Sequence, residues 1–120
     1  MQLSAVRLFV RNIAQAKSFY TGLGLELESY DAAHGVCIFN TGGIKLIIES
    51  VASDAPDDEQ ILVGRFTGLS FHCDDIESKY HELKSAGVMF TGAPEKQFWG
   101  GWLATFVDPD GNEIQLVQDA

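Results

Sequence analysis

The sequence predicts an α+β chain made of two βαβββ modules, and three observations lead there. One pattern occurs twice in one register. Val10-Arg11-Asn12-Ile13 runs on to Gly24, and Cys73-Asp74-Asp75-Ile76 runs on to Gly87, so each isoleucine precedes its glycine by 11 positions and the copies are offset by 63. Fixed-offset self-similarity marks a duplicated supersecondary unit. Each copy also reads as strand, helix and then further strands, by a hydrophobic period that switches between two and 3.6. Finally, Thr105–Gln118 (TFVDPDGNEIQLVQ) reads strand, turn, strand, with five consecutive turn formers in Asp108–Asn112. One helix can cover one face of each sheet, leaving the other face to curl around a cleft or to meet another copy. The expected architecture is therefore two curled mixed sheets around a cleft.

The elements follow in order. Leu3–Val10 is a strand with Val6, Leu8 and Val10 on one face and Ala5, Arg7 and Phe9 on the other. Asn12 caps a helix from Ile13 to about Thr21, with Ile13, Ala16, Phe19 and Tyr20 as its apolar stripe and Gly22 or Gly24 as its end. Leu25–Tyr30, Val36–Asn40 and Ile44–Ser50 read as strands, separated by Asp31–Gly35 and the Thr41-Gly42-Gly43 turn. The segment Val51–Gly64, carrying Asp54, Asp57, Asp58 and Glu59 around Pro56, reads as a solvated acidic linker. Thr67–Cys73 is the next strand. Asp74 then opens a helix over about 75–86, with Glu77 in capping-box position and Ile76, Tyr80 and Leu83 as its stripe. Val88–Thr91 is a short strand, Phe98–Val107 an aromatic-rich loop leading into another, and Glu113–Gln118 the last. The resulting division is module one over 1–50, a linker over 51–65 and module two over 66–120, within a single domain 1–120.

Composition sets outer bounds. With 120 residues, 46% hydrophobic and 21% charged, the chain has an ordinary globular make-up and can bury roughly two-thirds of its unfolded surface. A net charge of −9 speaks against nucleic acid, whose phosphates demand a basic face, and permits cationic ligands. No apolar run reaches the ~20 residues of a membrane span, and MQLSAVRLF has no signal-peptide pattern. No membrane association is expected. Cys37 and Cys73 lie in strand-like apolar runs and read as buried free thiols of a reducing cytoplasm.

The opening FVRNIAQAKSFYTGLGLEL and the closing WGGWLATFVDPDGNEIQLVQ resemble the vicinal oxygen chelate superfamily, which includes glyoxalase I, fosfomycin and bleomycin resistance proteins, and extradiol dioxygenases. The resemblance implies a homodimer, as does the need to protect sheet edges. In metal-dependent members it places ligands on the first and last strands of each module. Those positions fall on Ala5, on Gly68 by the repeat offset, on Gln115, and on either Ile47 or Glu49. Two of these have no donor and Gln115 offers a neutral amide, whereas a transition metal takes roughly three or more protein ligands. The expectation is no metal and no cofactor.

By strand alternation Arg7 and Phe9 share a face with Ala5, and Ser70 and His72 share one with Gly68. With Glu49 and Gln115 they form the expected ligand-binding set, and Trp99 or Trp102, beside Gly100-Gly101, is placed at the mouth as a lid or a dimer contact. The bland alternatives are an Arg7–Glu49 ion pair, an idle hydrogen-bonded His72, and a tryptophan that plugs a small core. Two functions from different classes remain open, with a weaker third beside them. One is a metal-free binding protein, similar to the bleomycin-resistance branch, for an amphipathic or cationic aromatic compound. The other is a lyase, isomerase or dioxygenase that uses His72 and Glu49 for acid–base work or as a displaced metal set. A third is a degenerate module that serves only as a subunit partner.

Overall fold

A computed structural model describes residues 1–120. The chain divides into two compact units, Met1–Arg65 and Phe66–Ala120. The first runs β1 (Ala5–Val10), α1 (Ile13–Gly22), β2 (Glu26–Asp31), β3 (Val36–Asn40), β4 (Lys45–Ser50) and a one-turn α2 (Asp57–Gln60). The second runs β5 (Phe66–His72), α3 (Ile76–Ser85), β6 (Met89–Phe90), β7 (Glu95–Lys96), β8 (Trp102–Val107) and β9 (Glu113–Gln118). The α+β class and the βαβββ order are as predicted, with β7 as an addition. The sheets share one wiring, β1-β4-β3-β2 and β5-β9-β8-β6, in which first and last strands pair parallel and the rest antiparallel.

The repeat extends to the helix ends. After α1, Gly24 N–H bonds the Thr21 carbonyl and Leu25 N–H that of Tyr20. After α3, Gly87 N–H bonds Lys84 and Val88 N–H bonds Leu83. Both are Schellman ends, and both glycines sit at positive φ, 96° and 94°, which an L side chain resists. At the N-termini Asn12 Oδ1 accepts from Gln15 N–H at 3.0 Å, as predicted. The cap of α3 is Asp75, which accepts from Ser78 N–H at 3.1 Å. This corrects the expectation of Asp74, whose carboxylate turns instead to the His72 ring. Gln118 of β9 then accepts from Ile76 N–H at 2.8 Å, satisfying a donor that no local residue reaches.

Each helix packs its stripe on its own sheet. In the first unit Leu8, Val10, Ala16, Tyr20, Cys37, Phe39, Leu46 and Ile48 are buried, with the Tyr20 and Phe39 rings 6.2 Å apart. In the second Ile76, Tyr80, Leu83, Ala104, Phe106, Ile114 and Leu116 are buried, and the Phe90 ring stands edge-on to Tyr80 at 4.8 Å. Each fully buried aliphatic or aromatic side chain contributes roughly 1.5–3 kcal/mol. Both cysteines are free. Burial pushes the Cys37 thiol up to about 11 and raises that of the half-buried Cys73, so neither is a nucleophile near neutral pH.

Two segments depart from expectation. Val51–Gly64 is folded onto the first unit rather than extended in solvent. Val51 N–H bonds the Val10 carbonyl, Val63 bridges to Phe9, and the Gln60 amide reaches the carbonyls of Ala52, Ser53 and Ala55. One uncharged side chain organises the loop, while the acidic residues that suggested a linker lie at its surface. The aromatic loop, in turn, is a hairpin tip. Glu95 and Lys96 pair with Leu103 and Trp102, and Gln97 N–H bonds the Gly101 carbonyl at 2.8 Å.

The Asp108–Asn112 turn closes the second sheet from inside. Asp108 and Asn112 are both buried. One carboxylate oxygen of Asp108 accepts from Asp110 and Asn112 N–H, each at 2.9 Å, and the other accepts from the Asn112 side-chain amide at 2.9 Å. Asp108→Ala is therefore expected to destabilise the protein by about 3 kcal/mol, because it orphans buried donors as well as removing charge-assisted bonds. Urea unfolding measures this, and an unchanged midpoint would refute the assignment.

Candidate functional site

In the first unit β1 and β4 run parallel with Arg7 opposite Ile47 and Phe9 opposite Glu49. The Arg7 guanidinium donates to the Glu49 carboxylate. Both side chains keep partial exposure, so the pair adds less than about 1 kcal/mol. A cavity of about 290 Å³ opens beside it, lined by Phe9, Glu49, Val51, Ala55, Glu59 and Leu62 among others. Its charged lining consists of two carboxylates, and its walls are an aromatic ring and small aliphatic groups. That combination suits an organic cation carried on an apolar body. Phe9 shares the Ala5 face by alternation of β1, and Glu49 is one of the two positions that the resemblance marks on β4. Glu59, Val51 and Leu62 come from the segment taken for a linker, and no local sequence signal marked them.

In the second unit Ser70 lies opposite Gln115 and Gln115 opposite Thr105. The Ser70 hydroxyl donates to Gln115 Oε1 at 3.5 Å, and the Gln115 amide donates to Thr105 Oγ1 at 3.4 Å. Both distances are long for hydrogen bonds. A cavity of about 280 Å³ is lined here by Thr91, Glu95, Gln97, Leu103, Thr105 and Gln115 among others. Gln97 and Glu95 escaped the sequence reading because β7 did. The signal available was Lys96 and Trp102 flanking a glycine-containing turn, a hairpin spacing.

His72 lines neither cavity. Its Nε2 lies 3.1 Å from Asp74 Oδ1 and its Nδ1 3.5 Å from Asp119 Oδ2, on an exposed rim of its unit. His34 and His81 are exposed and pair with Asp31 and Glu77. The His34 side chain holds the Asp31 carboxyl below its usual range by hydrogen bonding. The Trp99 ring lies over Gly101, where an added Cβ would fall 1.7 Å from Cζ3. Trp102 is half-buried in β8 opposite Gln118.

Strand register identifies the counterpart of Gln115 in the first unit. Arg7 and Ser70 are equivalent by the 63-residue offset, and they face Ile47 and Gln115 respectively, so that counterpart is Ile47 rather than Glu49. The four positions that the resemblance marks thus hold a methyl, a butyl, a hydrogen and a neutral amide. At Gly68 the backbone itself disfavours a ligating side chain, since φ is +76° where the pairing of β5 with β9 slips. No group of three or more His, Cys, Asp and Glu side chains stands close enough to hold an ion. These residues do not fit the divalent metal of the metal-dependent members.

A profile of the Glyoxalase/Bleomycin resistance protein/Dioxygenase superfamily matches residues 2–116. The chain belongs to that superfamily. Among curated relatives of this glyoxalase/bleomycin-resistance chain is a "Bleomycin resistance protein" from Klebsiella pneumoniae, 31% identical over 116 residues that cover 91% of this chain and 86% of that one. A superfamily structure from Sphaerobacter thermophilus superposes with a TM-score of 0.83 at 26% identity, covering 99% of this chain and 98% of the other. TnmS3, described as an antibiotic binding protein from a Streptomyces species, superposes with a TM-score of 0.78 at 26% identity, covering 100% and 97%. No helix is long and apolar enough to cross a membrane.

Added zinc, nickel, manganese or iron is expected to leave the melting temperature of chelator-free protein unchanged, and elemental analysis to find no stoichiometric ion. One tightly held ion per chain that is lost in Glu49→Ala would overturn this and favour an enzyme with a displaced metal set.

Proposed function

We propose that this protein is a metal-independent small-molecule-binding protein of the bleomycin-resistance type, which encloses an amphipathic cationic or aromatic compound. The observation that carries the reading is the near-full-length similarity to the Klebsiella pneumoniae bleomycin resistance protein. The donor-poor ligand positions and the antibiotic binding TnmS3 neighbour support it. The ligand residues we assign are Arg7, Phe9 and Glu49 in the first unit and Ser70, Trp99, Trp102 and Gln115 in the second, with His72 at the exposed rim of the second unit rather than in its cavity. Within the first unit Glu59 offers charge complementarity to a cation, Glu49 does so in competition with its Arg7 partner, and Phe9 offers a ring face. Trp99 offers stacking from a hairpin tip whose outermost residue, Phe98, is fully exposed. The free thiols fit a reducing cytoplasm.

Titration of tryptophan fluorescence with bleomycin and with a set of cationic aromatic compounds tests this. Saturable quenching is expected, weakened by roughly fivefold in Trp99→Phe or Glu49→Gln, as for the loss of ~1 kcal/mol of stacking or charge pairing. Equal affinity in both variants would remove the assigned residues from the site. Normal binding with loss of turnover in His72→Ala would instead establish an enzyme.

We further propose a homodimer. Exposed Phe66, Met89 and Phe98 support it, being apolar surface that a partner chain would cover. Sedimentation is expected to give twice 13.1 kDa. A monomer at micromolar concentration would contradict it.

A further inference from the structure

We propose that the second-unit cavity is a subsite for a neutral primary carboxamide or carbamoyl group. The proposal rests on the small-molecule-binding reading and names the chemistry that this part of the protein recognises. The cavity has about 280 Å³, the liquid share of about nine waters and enough for a ring bearing one such group. Its lining contains two side-chain amides, Gln97 and Gln115, and two hydroxyls, Thr91 and Thr105. The one charged residue there is Glu95, and no lysine, arginine or histidine lines it.

That lining selects by elimination and by match. An anion would meet the Glu95 carboxylate with no cation in the lining to offset their repulsion. A lone carboxylate beside neutral amides is a poor transition-metal set. A wholly apolar guest would strip water from amides and hydroxyls and return no hydrogen bonds. A carboxamide carries a donor and an acceptor on one edge, and so does each glutamine, which is why glutamine pairs bidentately with such edges.

The two amides are also under-used by the protein. Gln115 engages Ser70 and Thr105 only through the long contacts of 3.5 and 3.4 Å. The Gln97 amide donates to its neighbour Glu95's carbonyl at 3.1 Å, and with two N–H groups and a carbonyl oxygen it keeps capacity for a guest. Both glutamines therefore present a donor and an acceptor together. They also stand on different strand pairs of one sheet, Gln97 beside β7 and Gln115 in β9, so a guest's two edges can be read at once.

The experiment uses benzamide, benzoate and benzylamine, which share a body and differ in head-group charge, titrated at millimolar concentration into the intact ¹⁵N-labelled protein. Benzamide is expected to shift the side-chain NH₂ signals of Gln97 and Gln115 saturably, and benzoate to bind weaker by about tenfold or more. Gln97→Ala, at a half-buried hairpin position, and Gln115→Ala are each expected to weaken benzamide by about tenfold while the amide spectrum elsewhere stays folded. Benzylamine or benzoate binding as tightly as benzamide would overturn the proposal, as would benzamide affinity unchanged in both variants. The readout is independent of tryptophan. Benzamide shifts without fluorescence quenching by any cationic aromatic compound would retire the amphipathic-cation reading and keep this subsite, and the converse would retire the subsite alone.

Discussion

The second unit depends on one buried carboxylate. Asp108 sits where β8 ends, with almost no solvent contact, and takes N–H groups from Asp110 and from the backbone and side chain of Asn112. In a low-dielectric setting these bonds are strong, and losing one is correspondingly costly. They set where β9 begins, and so its register against β8, with Thr105 opposite Gln115. A slip of one residue would turn every side chain of β9 over. Ile114 and Leu116 would leave the core and Gln115 would enter it. The core and the amide-lined cavity are thus opposite consequences of one turn.

The two units show how one wiring carries two chemistries. Their helix ends match bond for bond, and their strand orders are the same. Equivalent face positions nevertheless hold Arg7 opposite Ile47 in one unit and Ser70 opposite Gln115 in the other. The first unit presents charge next to an aromatic ring, and the second presents neutral donors and acceptors. Backbone hydrogen bonding and the buried stripe hold the scaffold, so the outward faces of the strands vary without cost to it. Gly68 is the exception. There the positive φ makes the backbone, and not only the residue type, unfavourable to a ligating side chain.

Charge illustrates what composition leaves undetermined. The net −9 is spread over both units, yet few of its members bear on binding. Asp54, Asp57 and Asp58 are exposed, where water screens them. Glu49 and Glu59 line a cavity with Phe9. Glu95 lines another, among amides. Counting carboxylates treats all of these alike, while local dielectric and neighbours separate them.

Local chemistry determined much of this protein. The repeat, both helices and their glycine ends, the strand faces of β1 and β9, and the Asp108–Asn112 turn follow from propensity, capping and period-2 alternation, which operate within a few residues of chain. The same alternation placed Phe9, Ser70 and Gln115 on their faces, and the resemblance named the superfamily and pointed to Glu49. Tertiary structure decided what local rules do not reach. It chose Asp75 over Asp74 as the cap, because Asp74 had His72 to bond and Gln118 satisfied another donor of that helix. It drew Val51–Gly64 onto the first unit through Gln60, whose carbonyl partners carry no sequence signature. It joined Gln97 and Glu95 to Gln115 in one cavity, by pairing β8 with the two-residue β7, which is too brief for periodicity to reveal. Capping and alternation are properties of neighbours along the chain, whereas a cavity wall is a property of residues that meet only once the sheet has closed.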